Sequence, residues 1–219
     1  MKLTYTIQVC NESRELYSLL NFLIKVIDEE DEINVVVDSL HKTDKVSKVI
    51  EHFKDKISVF ERPFDTFYKN GSYHNSIATG DYIFGIDADE MPQESLIKMV
   101  KNIIKETKAD IISVPRINIH PDITQDEAIS FGFNVNEVGF INWPDYQSRI
   151  FKKCDNIHWT DELHTKLTGS DNRAFIKPIP SYALWHIKSM DKQKSRWKKD
   201  ESGNYNITPP SNELYDLLM

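Results

Sequence analysis

Tyr82-Ile83-Phe84-Gly85-Ile86-Asp87-Ala88-Asp89-Glu90 is the stretch on which the reading of this chain turns. Its first five residues are apolar and partly β-branched, the composition of a buried central strand, and the strand delivers two acids to its carboxyl end. Ligands of open α/β sheets bind at that end. Where the strand turns, Asp87 and Asp89 can converge on one cation, and a hard divalent ion such as Mn²⁺ or Mg²⁺ bridging to a diphosphate suits such a pair. A calcium loop starting at Asp87 is excluded, because Lys98 stands where that loop needs its bidentate glutamate. Acidic pairs are common in solvated turns, so the assignment rests on what surrounds this one.

Upstream, Leu3 to Val9 alternates like a strand and runs into Asn11-Glu12-Ser13, with Ser13 placed as a helix N-cap. Leu16, Leu19, Leu20, Leu23, Ile24 and Ile27 then recur at helical spacing. A second strand, Ile33 to Val37, ends on Asp38-Ser39 and is followed by an amphipathic helix through Val46, Val49, Ile50 and Phe53. A third strand is expected at Ile57 to Phe60, then a turn at Asn70-Gly71-Ser72 and a helix carrying His74, Asn75 and Ala78 that Gly80 closes. Strand and helix alternating in this way predict a mostly parallel, Rossmann-like sheet flanked by helices.

Downstream, a helix is expected over about Glu94 to Lys105 and a strand over Ile111 to Val114. Residues 118–146 crowd Asn, Pro, Gly and aromatics and are expected to form irregular loops over the sheet edge, the kind that select a substrate. Strand-like segments recur at Ser148 to Phe151, Ile157 to Trp159 and Ala183 to His186, before a basic helix from about Asp191 and an acidic tail. The expected organisation is one domain over residues 1–190, with a donor half to 100 and an acceptor half from 101, then a C-terminal helix and tail over 191–219.

The chain has 219 residues, 40% of them hydrophobic, enough for a substantial core. A net charge of -7 and a pI near 5.5 argue against nucleic acid as a partner. Cys10 and Cys154 are far apart and lack C-x-x-C spacing, which fits a reducing cytoplasm and indicates neither a disulfide framework nor a zinc site. No stretch reaches the length of a membrane span, and the N-terminus lacks the apolar core of a signal peptide.

Asn11-Glu12, the strand ending in Asp38-Ser39 with Thr43-Asp44, then Asn75, Ala78, Gly80-Asp81-Tyr82 and Asp87-Ala88-Asp89-Glu90 together resemble the donor half of family 2 glycosyltransferases, which have the GT-A fold. Trp143-Pro144-Asp145-Tyr146-Gln147-x-Arg149-Ile150-Phe151, followed by Trp159 and His164, resembles the subgroup that includes lipopolysaccharide-core glucosyltransferases. The resemblance covers roughly residues 3–190. It implies a sugar donor activated as a nucleoside diphosphate, UDP first among them, and a glycan, lipid-linked saccharide or protein as acceptor. Asp38 then matches the acid that reads the base, and Val9, Asn11 and Glu12 the loop that packs it. Asn75 lies beside the donor, Asp87 with Ala88 faces the ribose or metal-bound water, and Asp89 holds the cation with His186 completing its site.

The resemblance further implies inversion by single displacement, with a carboxylate taking the acceptor's proton. Here the sequence departs from the pattern: the subgroup has Glu after the histidine matching His164, and this chain has Thr165. Threonine is no general base at neutral pH, which leaves Glu162 first, then Asp161 and Asp145, as the base, with His164 beside them. Two other classes are weighed. A non-catalytic nucleotide- or glycan-binding module would keep the fold without the base. A nucleotidyltransferase would also pair acids on such a sheet, but its Gly-rich basic phosphate loop is missing after Val9.

Overall fold

The structure, a computed structural model, describes residues 1–160 and 165–196. In chain order it runs β1 (Leu3–Val9), α1 (Ser13–Val26), β2 (Glu32–Asp38), α2 (Asp44–Phe53), β3 (Ser58–Arg62), α3 (Phe67–Ile77), β4 (Tyr82–Asp87) and β5 (Glu90–Pro92). Then come α4 (Glu94–Thr107), β6 (Ile111–Ile119), α5 (Gln125–Ser130), β7 (Ile141–Lys152), β8 (His158–Trp159), β9 (Leu167–Thr168), β10 (Arg173–Phe175), β11 (Leu184–Ile187) and α6 (Met190–Arg196). Among these residues a nine-stranded sheet has the order β3-β2-β1-β4-β7-β6-β11-β5, with β10 also on β6. The strands β3, β2, β1 and β4 are parallel, whereas β7 runs antiparallel between β4 and β6. No helix among the described residues is long and apolar enough to cross a membrane.

Strand alternation separates two apolar clusters on opposite faces. Tyr82, Phe84 and Ile86 of β4, Ile112 of β6 and Ile150 of β7 join one cluster with Leu16, Leu19, Leu20 and Leu23 of α1 and Leu96, Ile97, Val100 and Ile104 of α4. The intervening residues Ile83, Ile111 and Phe151 join a smaller one with Ala78, Ile157, Leu167 and the Trp159 ring. The second face is thin because α3 and the short β8–β9 pair are what cover it, and this is the face that opens into a cavity. β1 and β4 run side by side with Gln8 opposite Asp87, so the acids emerge at the carboxyl edge next to the start of α1.

Several local expectations change in the fold, each for a long-range reason. Asn70-Gly71-Ser72 forms no turn: α3 starts at Phe67 with Thr66 accepting from Lys69 N–H and runs straight through Gly71. The glycine is there because the Trp159 ring lies on it, and a Cβ would come within 2.6 Å of Cδ1. Gly80 closes no helix either; a Cβ there would meet the Thr4 backbone nitrogen at 2.7 Å. Ser13 is the first residue of α1, after Glu12, which makes no side-chain cap. Residues 118–146 are more regular than expected, since β6 extends to Ile119 and pairs with a long β7 beginning at Ile141. Pro115 sits inside β6 at the break between its β10 partners and its β11 partners, a position where a strand tolerates proline.

Candidate active site

The two acids that end β4 go to different partners. Asp89 Oδ2 lies 3.1 Å from Lys192 Nζ and 3.5 Å from His186 Nε2. His186 comes from β11, and its Nδ1–H donates to Asn118 Oδ1 at 2.8 Å, which turns the other ring nitrogen toward Asp89. Burial alone would push the Asp89 carboxyl up, but Lys192 and His186 hold it well below the usual carboxylate range. Lys192 also reaches Glu12 Oε1 at 3.5 Å, while Glu12 Oε2 accepts the N–H groups of Cys10 and Asn11 and so fixes the loop after β1.

Asp87 instead accepts from Arg149 Nη2 at 2.6 Å. That same nitrogen donates to Glu90 Oε1 at 2.5 Å, where Arg116 Nη1 also donates at 3.0 Å. Glu90 has no exposed side-chain surface, and two guanidinium groups and the Asp87 N–H surround its carboxylate. Arg116 continues the network to Asp145 through Nε and Nη2 at 2.9 and 2.7 Å. Burial works against the Asp87 charge, and Arg149 outweighs it to hold the carboxyl below its ordinary value.

Beside Asp87 a cavity of about 860 Å³ lies between α3, β7 and Trp159. Asn70, His74, Asn75, Arg149 and Trp159 line it, and each carries a buried atom without a hydrogen-bond partner among the described residues: Asn70 Oδ1, His74 Nδ1, Asn75 Oδ1, Arg149 Nε and Trp159 Nε1. Natural interiors rarely leave such atoms unsatisfied. His74 Nε2 contacts Gln8 Oε1, and burial pushes the imidazole down to about 4, so at neutral pH the ring is uncharged and its bare Nδ1 is an acceptor. The residues of the wall thus hold three unpaired acceptors and two unpaired donors just beneath its surface, and Phe64, Phe67 and Phe151 supply apolar lining.

The remaining expected site residues divide. Asn75 lines the cavity, and Ala88 is buried with its N–H bonded to the Gln8 carbonyl. Val9 is buried in the strand core, so only its backbone can serve a ligand. Asp38 spends its carboxylate on the protein: it accepts from Leu40 N–H and Phe64 N–H and contacts His41 Nδ1 at 2.6 Å. Asp145 accepts from Arg116, Asn118 and Gln147, and these contacts overcome burial to lower its pKa, so it is a weak base that positions Arg116. Asp161, Glu162 and His164 lie outside the described residues. Asp87 and Asp89 hold different cationic partners, Arg149 for one and Lys192 for the other. Among the described residues no group of three acid, histidine or cysteine side chains gathers as a metal site. Asp89 and His186 nevertheless fit a pair of ligands for a divalent ion, an oxygen and an anchored imidazole nitrogen facing one another. Arg116, Arg149 and Lys192 were the residues to add; an arginine inside an apolar strand, as in Ser148-Arg149-Ile150-Phe151, already signals a buried acidic partner.

A family model described as glycosyl transferase family 2 matches residues 6–165. Among solved structures, S. aureus TarS 1-349 in complex with UDP-GlcNAc matches with a TM-score of 0.60 at 15% identity, covering 94% of this chain and 62% of that one. The complex of the same protein with UDP gives 0.59 at 16% identity, covering 87% and 62%. At such identity the likeness is one of fold, and the chain spans about three fifths of TarS 1-349. No curated protein matches the chain.

Proposed function

Because this chain belongs to glycosyl transferase family 2, we propose that it moves a sugar from a nucleoside diphosphate donor, with UDP as the carrier, to a hydroxyl of a glycan, lipid-linked saccharide or protein in the cytoplasm. The observation that carries this reading is the cavity beside Asp87, lined by the polar side chains of Gln8, Asn70, His74, Asn75 and Arg149 next to aromatic rings. Sugar hydroxyls both donate and accept, which suits a lining that mixes amide, imidazole, guanidinium and indole groups. Solved structures of TarS with UDP and UDP-GlcNAc support the choice of uridine.

In an inverting displacement the acceptor oxygen attacks the anomeric carbon as the bond to the diphosphate breaks, and a carboxylate takes the acceptor's proton. Glu162, with Asp161 next, is the proposed base; both fall in sequence between the cavity residues Trp159 and Thr165. Arg149 fixes Asp87 in the cavity lining, and Glu90 and Asp145 fix the two arginines. Asp89 and His186 would hold Mn²⁺ or Mg²⁺, which when bound neutralises charge on the departing diphosphate. Calorimetric titration with UDP in Mn²⁺ tests the reading. The wild type binds, and Asp89→Ala weakens binding at least tenfold and stops transfer; metal-dependent UDP affinity that survives in Asp89→Ala sinks the assignment. Thr165 at the cavity, where the resembling subgroup has glutamate, favours a second reading, a binding module that lacks the base. Full donor affinity without transfer to any acceptor distinguishes it.

A further inference from the structure

One buried cation has no task in the chemistry above. Lys192 is 6% exposed, yet it lies on α6, at the far end of the described chain, and reaches into the crevice formed by β1 and β4. Its ammonium spans both walls, touching Glu12 on the loop after β1 and Asp89 on the turn after β4. In an open α/β sheet this crevice, outside the carboxyl ends of adjacent strands, is where the ligand lies. Stability alone does not call for a lysine here, since an apolar side chain in place of a buried ion pair is commonly neutral or better. The contacts are also loose for a structural pair, 3.1 and 3.5 Å, and two carboxylates share one ammonium.

We propose that Lys192 is a diphosphate ligand of the donor site, its ammonium bridging the two walls of the crevice at Asp89 and Glu12 until the phosphates of the nucleotide arrive. The inference rests on the donor reading above. Once an ion takes the Asp89 carboxylate, that carboxylate is shared, and Lys192 is the buried ammonium next to any phosphate oxygen held there. Arg149 cannot take this role, being committed to Asp87 and Glu90.

The test is a ladder of uridine, UMP and UDP titrated into the full chain by calorimetry, once with Mn²⁺ and once with EDTA. Lys192→Gln is expected to weaken UDP about 10- to 100-fold, the value of a charge-assisted hydrogen bond, and to leave uridine within twofold of wild type. Lys192→Arg is expected to keep UDP affinity within a few-fold. Should Lys192→Gln lack a cooperative melting transition, Lys192→Met is read in the same way. The proposal is overturned if UDP binds the neutral variant as tightly as wild type, or if uridine and UDP weaken equally, the mark of a purely structural lysine. If wild type binds UDP but the neutral variant binds it equally well, Lys192 alone is misassigned; if wild type binds no nucleoside diphosphate, the donor reading falls and this with it.

Discussion

Replacing Arg149 with methionine separates the role of the arginine from that of the strand that carries it. Arg149 Nη2 is the nearest donor to Glu90, a carboxylate without exposed side-chain surface, and losing it leaves that charge with Arg116 and one backbone N–H. Breaking a buried ion pair on one side costs about 3–5 kcal/mol, and the surviving Arg116 contact places the expected loss at the low end, about 3 kcal/mol. For a domain of this size that is a drop of roughly 6–12 °C in Tm. Asp87 adds little, because half of its side chain is exposed. The assay is urea and thermal unfolding of Arg149→Met, Glu90→Gln and the double variant. The double variant should be more stable than Arg149→Met, since removing the stranded charge relieves the penalty. A loss below about 1 kcal/mol in Arg149→Met, or a double variant no better than that single one, refutes the reasoning. The acid limb carries a second signature. The Asp87 pKa is held below its unfolded value, so its contribution is present above the unfolded carboxylate range and is lost as pH falls through the folded value. In Arg149→Met that limb should flatten.

His74 acts in the same direction on the pH axis by a different cause. Burial lowers its pKa to about 4, so between about pH 6.5 and 4 the unfolded chain binds the proton more tightly, and stability should fall with pH by about 3 kcal/mol over that window; denaturation midpoints of His74→Gln should show a shallower decline. Gly71→Ala should destabilise by about 1–3 kcal/mol through its clash with Trp159, although alanine in a helix interior normally gains about 1 kcal/mol over glycine. A stabilised variant in thermal melts would show that the ring yields. Burial and the nearby charges of Glu12 and Asp38 push the Cys10 thiol up to about 12, so labelling of Cys154→Ala with iodoacetamide at pH 8 should be at least tenfold slower than that of a free thiol. A rate equal to that of the free thiol counts against the packing drawn around the β1–α1 loop.

The sequence by itself determined the parallel half of the sheet and the edge at which the site lies. The spacing of Leu16, Leu19, Leu20 and Leu23 and the apolar run into Asp87 are local, and each acts through nearest neighbours on a helix or strand. Glycines misled because their reason was remote: Gly71 answers to Trp159 and Gly80 to Thr4, where periodicity offers only turns and caps. The long β6–β7 pair escaped for a similar reason, since Pro115 and the bulges flanking it are tolerated only by virtue of which strands lie alongside.

What only the tertiary structure decided is where the charges go. The D-x-D acids were legible as a pair, yet one is taken by Arg149, 62 residues away in sequence, and the other by Lys192, 103 residues away. A pattern of hydrophobic spacing fixes which face of an element is buried, because that follows from backbone geometry alone. Which cation meets a buried carboxylate depends on how separate elements pack, and no local period encodes it.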